Sequence, residues 1–328
     1  MRAELKRLPS EFLDRLSKLV PHSKLNTIIN TFAEGKPTTF RVNILKSSRN
    51  DVEEYLHREH LLIQKVHWYS DAYILIKARL KELQKTNCYV HGEIYVQNLS
   101  SMIPSLILDP QPGEKILDIT AAPGSKTTQM AALMKNEGEI LANDNNPLRY
   151  AKLANNLKIQ SAQNVQLNLA PAETIGKRFH ESFDRVLADV PCGAEGRFDI
   201  RDPASYGYWK LSIIKNNAKL QKKIIRSAIL ALKPGGVLVY STCTFSPEEN
   251  EEVVDWAVQN FPDAITVEKI NFKLPNQMSG LSQWQGQKYH PSVTRTLRIL
   301  PTETMEGFFV AKIRKNHSTP LVVEQPTN

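Results

Sequence analysis

The spacing of hydrophobic positions changes period along the chain. Leu5, Leu8, Phe12, Leu16 and Leu19 recur at helical intervals, with Ser10 and Glu11 able to start a turn after Pro9 and Pro21 ending it, so residues 1 to about 33 are expected to be helical. The period then drops to two. Phe40, Val42 and Ile44 alternate with Thr39, Arg41 and Asn43 as in a half-buried strand, and residues 51–59 offer a short helix with Val52, Tyr55 and Leu56 on one face. Residues 73–76 supply a second strand, so a small α+β module is predicted ahead of the main body. From about residue 99 strands and helices alternate. Strand candidates lie at 115–119, 139–143, 164–168, 185–189 and 237–241, with helices at 125–135, 146–159 and 213–232 between them. That order predicts an α/β, doubly wound and mostly parallel sheet. A helix at 247–261 and a strand at 265–270 follow, and the apolar run 307–313 can return antiparallel into the sheet. The expected division is 1–98, 99–315, and a disordered tail at 316–328, which carries Pro320 and Pro326.

The chain turns on one stretch, KILDITAAPGSKTTQ, from Lys115 to Gln129. A buried strand breaks at Ala121-Ala122-Pro123-Gly124 into a helix beginning near Ser125, and in an open α/β sheet such a turn can face a ligand. An ordinary strand-to-helix turn is the competing reading. A phosphate loop ending on Lys126 would need glycine at Thr120 and Ser125, and a dinucleotide turn would need three glycines where Gly124 stands alone. A small cofactor without a pyrophosphate remains, and S-adenosylmethionine fits that description. Asp144, just past the second strand, is placed to accept from ribose hydroxyls. Asp189-Val190-Pro191-Cys192 ends the fourth strand and Ser241-Thr242-Cys243-Thr244 the fifth. A lone cysteine is usually an inert small hydrophobe, and Cys88 is read so, but two at neighbouring strand ends beside a cofactor turn point to chemistry.

Composition alters this little. The 328 residues are 41% hydrophobic and 23% charged, as in a soluble globular protein. No apolar run approaches the ~20 residues that span a bilayer, and the start MRAELKR has no apolar signal region, so a cytoplasmic protein with no membrane partner is expected. Three cysteines without CxxC spacing imply neither a disulfide framework nor a metal site. A net charge of +8 tilts towards an anionic partner such as nucleic acid. Arg41, Lys46, Arg49, Arg58, Lys77, Arg79, Lys81 and Lys85 make the N-terminal module basic, as an RNA-contacting or simply a solvated face. Lys215, Lys219, Lys222 and Arg226 form a stripe along one helix, open to the same two readings.

The segments ILDITAAPGSKTTQ, LANDNNPLR, FDRVLADVPCG, LKPGGVLVYSTCTFSPEENE and GFFVAKIRK, with TTFRVN and EIYVQNLSSM upstream, resemble the Sun-type (Fmu-related) RNA cytosine-5 methyltransferases from about Lys36 to Lys315. The wording is most similar to the bacterial 16S ribosomal RNA branch. The resemblance implies a Rossmann-like methyltransferase sheet, S-adenosylmethionine as cofactor held by Thr120, Ala121, Ala122, Pro123, Gly124, Ser125, Lys126, Asp144 and Asp189, and ribosomal or transfer RNA as partner of a monomeric enzyme. Carbon 5 of cytosine is a poor nucleophile, so a thiolate first adds to carbon 6 and a second group helps release. Spacing alone leaves open which cysteine does which. The resemblance implies that Cys243 attacks and Cys192 assists release, with Asp189 on the cytosine ring edge and Lys126 near the base or its phosphate; in DNA cytosine methyltransferases the Pro-Cys thiol attacks instead. The target base must be unstacked to enter.

The chain departs from the pattern at several positions. Thr120 replaces a cysteine, Ser125 a glycine, Gly193-Ala194 a serine-glycine pair, and Pro171 an aspartate that binds the adenine, with Glu173 as the candidate substitute. Tyr206, Tyr208, Trp209, Trp284 and Arg295 are candidates to clamp RNA or to anchor their loops. Two other functions compete: an RNA-binding assembly factor with a decayed cofactor pocket, suggested by Pro171, and a P-loop-like NTPase, disfavoured by the missing glycines.

Overall fold

The computed structural model describes residues 7–321, so Leu5 and the end of the expected tail lie outside the described residues. The first helical stretch is two helices, α1 (Ser10–Leu19) and α2 (His22–Thr31), broken at Pro21. A four-stranded antiparallel sheet follows in the order β2-β3-β1-β4, from β1 (Thr39–Val42), β2 (Leu62–Lys65), β3 (Ala72–Ile76) and β4 (Ile94–Val96). Helix α3 (Arg49–Arg58) and the short α4 (Leu80–Leu83) and α5 (Asn87–Val90) complete this layer. The alternation at residues 39–44 is real for two of its three apolar positions: Phe40 and Val42 are buried, while Ile44 lies beyond the strand and is exposed. Strands β2 and β4 carry no clean alternation, because β2 is an edge and β4 spans three residues.

Helix α6 (Leu99–Leu108) leads into the large sheet. Its parallel part runs through β5 (Lys115–Asp118), α7 (Ser125–Leu133), β6 (Glu139–Asp144), α8 (Pro147–Ile159), β7 (Val165–Leu169), α9 (Ala172–Arg178), β8 (Phe183–Asp189), α10 (Leu211–Ala231) and β9 (Leu232–Thr242). Beyond α11 (Glu251–Asn260) come β10 (Ile265–Glu268), β11 (Gln277–Ser279), the hairpin β12 (Gln283–Trp284) and β13 (Gln287–Lys288), β14 (Leu297–Ile299) and β15 (Phe308–Lys315). The order is β11-β14-β15-β9-β8-β5-β6-β7, with β10 also on β15, and β15 does return antiparallel against β9. The fold is therefore α/β, with a mostly parallel central sheet and a separate N-terminal sheet.

Both faces of the sheet are covered, and β9 shows why its run is continuously apolar. Val237 and Val239 pack towards α6 and α7, while Leu238 and Tyr240 pack towards α10 and α11. Helices α1 and α2 share their core with this second face of the large sheet, not with the small one: Phe12 and Phe32 meet Phe245, and Phe12 meets Trp209. The chain beyond 315 is held over its first residues. Asn316 donates its N–H to Ala264, and Thr319, 3% exposed, accepts on its hydroxyl from Lys315 Nζ at 2.8 Å.

Candidate active site

A cavity of about 450 Å³ opens where β5, β8 and β9 end. Its first wall is the turn after β5. Gly124 caps α7 with φ 102°, in the left-handed region, and a Cβ there would come within 2.8 Å of Leu153, so glycine alone suits both the backbone and the contact with α8. The rest of the turn is tied by its backbone: Ala121 N–H donates to Asn143 O at 2.7 Å and Gly124 N–H to Ala121 O at 2.8 Å. Thr120 Oγ1 donates to Asp189 O at 2.9 Å, linking turn to opposite wall.

Lys126 spans the floor. Its ammonium donates to Asp189 Oδ2 and to Ser101 Oγ, both at 2.7 Å, and lies 5.5 Å from the Phe308 ring. Ser241 Oγ donates to the other oxygen, Asp189 Oδ1, at 2.7 Å, so the carboxyl at the end of β8 is fixed at both ends. Beneath the turn, burial pushes the Asp118 carboxyl up to about 7 against the hydrogen bond it accepts from Thr127.

The second wall carries the thiols. Cys192 and Cys243 lie side by side at the ends of the adjacent strands β8 and β9, Sγ to Sγ 3.5 Å, and both line the cavity. The Cys243 sulfur and burial together hold the Cys192 thiol well above its ordinary pKa. Their loops are laced by buried carboxyls. Glu195, 1% exposed, accepts from Trp209 Nε1 at 2.7 Å and Ser246 Oγ at 2.8 Å on Oε1, and from Thr244 Oγ1 at 2.8 Å and Phe245 N–H at 2.9 Å on Oε2. The Gly196 N–H holds the Cys243 carbonyl at 2.9 Å.

A family model described as 16S rRNA methyltransferase RsmB/F matches residues 105–314, most of the chain. The chain belongs to this family. A second model, the N-terminal domain of 16S rRNA methyltransferase RsmF, matches residues 8–99. The tRNA (cytosine(49)-C(5))-methyltransferase of Pyrococcus abyssi is 38% identical over 315 residues, 95% of this chain and 98% of that protein. Ribosomal RNA small subunit methyltransferase F of Shewanella loihica is 33% identical over 325 residues, which cover 97% of this chain but 65% of that protein's length. A crystal structure of a methyltransferase homolog from Pyrococcus horikoshii superposes with a TM-score of 0.82 at 32% identity, over 96% of this chain and 99% of that one. The Sun-type resemblance read from the motifs is borne out.

Within this RsmB/F-type site, Thr120, Ala122, Pro123, Ser125, Lys126, Asp189, Cys192 and Cys243 all line the cavity. Ala121 and Asp144 are buried and not among the lining residues; Asp144 Oδ2 accepts from Ala122 N–H and Arg149, each at 3.3 Å, and Oδ1 from Asn146 N–H at 3.0 Å. Pro171 and Glu173 are not among the lining residues; both are exposed at the start of α9. Two expectations of surface chemistry change. Arg41 is 1% exposed and donates to Thr128 Oγ1 at 2.7 Å and Gln97 Oε1 at 3.0 Å, joining the N-terminal sheet to α7 instead of facing solvent. Tyr206, Trp209 and Trp284 are buried loop anchors, and Arg295 donates to Val267 O, while Tyr208 stays exposed. On α10, Lys222 pairs with Glu252 at 2.7 Å.

Lining residues that the motifs did not single out are Tyr95, Asn98, Ser101, Arg149, Arg197, Glu306 and Phe308. Tyr95 to Ser101 lie within the upstream segment EIYVQNLSSM, whose signal was family wording without an assigned role. Arg197 and Glu306, 3.7 Å apart, come from distant loops, and nothing local marks them. Among the described residues no group of His, Cys, Asp or Glu could hold a metal ion, and no helix is long and apolar enough to cross a membrane.

Proposed function

We propose that this protein transfers a methyl group from S-adenosylmethionine to carbon 5 of a cytidine in RNA through a covalent Cys243 adduct. The observation that carries the reading is the pair of thiols 3.5 Å apart on one wall of a cavity whose other wall is the small-residue turn from Thr120 to Lys126. The residues suit a nucleoside cofactor. The turn presents little side-chain bulk, and of the roughly four lone-pair sites on a carboxylate Asp144 has three in use, one by the half-exposed Arg149, which can swing aside. Thr120 to Lys126, Asp144 and Asp189 are the residues that would hold it; when bound it supplies an electrophilic methyl.

The chain's own groups account for the remaining needs. Cys192 is held as a thiol, and Cys243 is the sulfur that adds to carbon 6 of the cytosine. Electron density then moves to carbon 5, which takes the methyl with release of the donor's neutral thioether. Solvent water takes the carbon-5 proton, the C–H electrons re-form the 5,6 double bond, and the Cys243 sulfur leaves as a thiolate, with Cys192 assisting by donating a hydrogen bond to it across 3.5 Å. Asp189, pinned by Lys126 and Ser241, is oriented to accept a hydrogen bond from the ring edge, and the polar mouth suits a flipped base. The protein acts as a cytoplasmic monomer on this reading.

The relatives' names divide between ribosomal and transfer RNA, and ribosomal RNA is favoured here by the match of both family models along the chain. Bisulfite sequencing of ribosomal and transfer RNA from cells with and without the gene tests this. A cytidine protected only when the gene is present is expected in the small-subunit RNA; protection lost in a transfer RNA instead moves the substrate. Pro171 keeps the assembly-factor reading in view, and calorimetry finding no binding of S-adenosylmethionine would favour it.

A further inference from the structure

The Cys243 sulfur and burial hold the Cys192 thiol up first, and behind Cys192 a buried carboxyl, Glu249, adds to them. Glu249 does not line the cavity, yet both of its oxygens accept from the Gly193 N–H, Oε1 at 2.9 Å and Oε2 at 3.1 Å. Gln221, fully buried on α10, donates through Nε2 to Pro191 O at 2.8 Å and to Glu249 Oε1 at 3.1 Å. The peptide groups on either side of Cys192 are thus held by one Gln221–Glu249 pair. Gly193 has no room for a side chain, since a Cβ would lie 2.4 Å from Ile214 and 2.9 Å from Glu249 Oε2.

We propose that Glu249 is a positioning residue that holds Cys192 in place and, once ionised, opposes a second anion there, which favours Cys243 over Cys192 as the attacking sulfur. The inference rests on the reading of Cys243 as the attacking group. Burial, with Glu195 nearby, pushes the Glu249 carboxyl up to about 8, so it gives up its proton before Cys192 does and its charge then opposes a second anion beside it. The groups around Cys192 are Cys243 on the β9 loop, Glu249, Tyr240 on β9, and Arg197 and Tyr208 on the loop after β8. Of these, Glu249 is the acidic side chain bonded to the Cys192 loop itself.

The test is the pH profile of alkylation by iodoacetamide at each cysteine, read by peptide mass spectrometry on the full chain without RNA. In the natural protein Cys192 is expected to react at higher pH than Cys243. Glu249→Gln keeps an acceptor for Gly193 and removes the charge, and should lower the Cys192 midpoint by about one pH unit while moving Cys243 less. Glu249→Asp, which restores the charge, should return Cys192 towards its original midpoint. An unchanged Cys192 profile in Glu249→Gln overturns the proposal. So does a natural protein in which Cys192 reacts at or below the pH of Cys243, an outcome read without any variant and so independent of whether a variant folds. Because no RNA is present, failure here leaves the methylation reading standing, and absence of a methylated cytidine leaves this profile intact.

Discussion

On the wall that carries the thiols, carboxyls from one loop bind the other: Glu195 of the Cys192 loop takes four donors, three of them from residues 244–246, and Glu249, after Cys243, takes the Gly193 N–H. On the facing wall the turn is held by its own backbone, by Gly124, and by two buried carboxyls, Asp144 on the Ala122 N–H and Asp118 on Thr127. The contrast follows from what each wall must do. A backbone turn that, on the proposed reading, cradles a cofactor needs only its shape, and small residues supply it. Two sulfur atoms on separate loops have no shared backbone, so their spacing depends on side chains that cross between the loops. Lys126 and Thr120, both bonded to Asp189, join the two walls.

The largest effect on this contrast should come from Glu195→Ala, which strands four buried donors at once. It is expected to destabilise the fold by about 3 kcal/mol or more and to loosen the Cys243 loop; denaturant unfolding checks the first, and survival at full stability would show that the loops do not depend on the strap. Asp118→Asn should act in the opposite direction and by less. Both Asp118, at about 7, and Glu249, at about 8, stand above their ordinary values of 3.8 and 4.5. The folded state therefore holds protons that the unfolded chain has released, and stability falls as pH rises from about 4 to about 8. Asparagine keeps an acceptor for Thr127 and removes the share due to Asp118, so it should raise stability at pH 8 by about 2 kcal/mol and change it little at pH 4. Equal effects at both pH values would remove the buried-carboxyl explanation.

How much of this was legible depends on whether a feature is local in sequence. The turn at residues 121–124 and the strand ends bearing Cys192 and Cys243 could be read because apolar strands and the small or reactive residues after them are contiguous. The straps could not. Glu195 and Glu249 sit in polar segments where a carboxylate looks like a solvated charge, and their burial exists only once the β8 and β9 loops meet. Arg41 misled for the same reason: an alternating strand predicts an outward arginine, but the outward face of β1 is covered by α7. Strands β2 and β4 escaped because short or edge strands carry too few residues for a period to show. Pro171 is read as a cofactor position from its place in the motif alone; it sits exposed at the start of α9, outside the lining of the cavity.

The central claim is that the two thiols divide their work, and the most direct measurement is a covalent trap. Cys192→Ala protein incubated with S-adenosylmethionine and the RNA that carries the target cytidine should accumulate a denaturation-resistant protein–RNA adduct, and digestion should place the nucleotide on the peptide containing Cys243. A Cys192→Ala, Cys243→Ala protein should form none. An adduct on any other residue, or no adduct in the single variant under conditions where the natural protein methylates, would contradict the account.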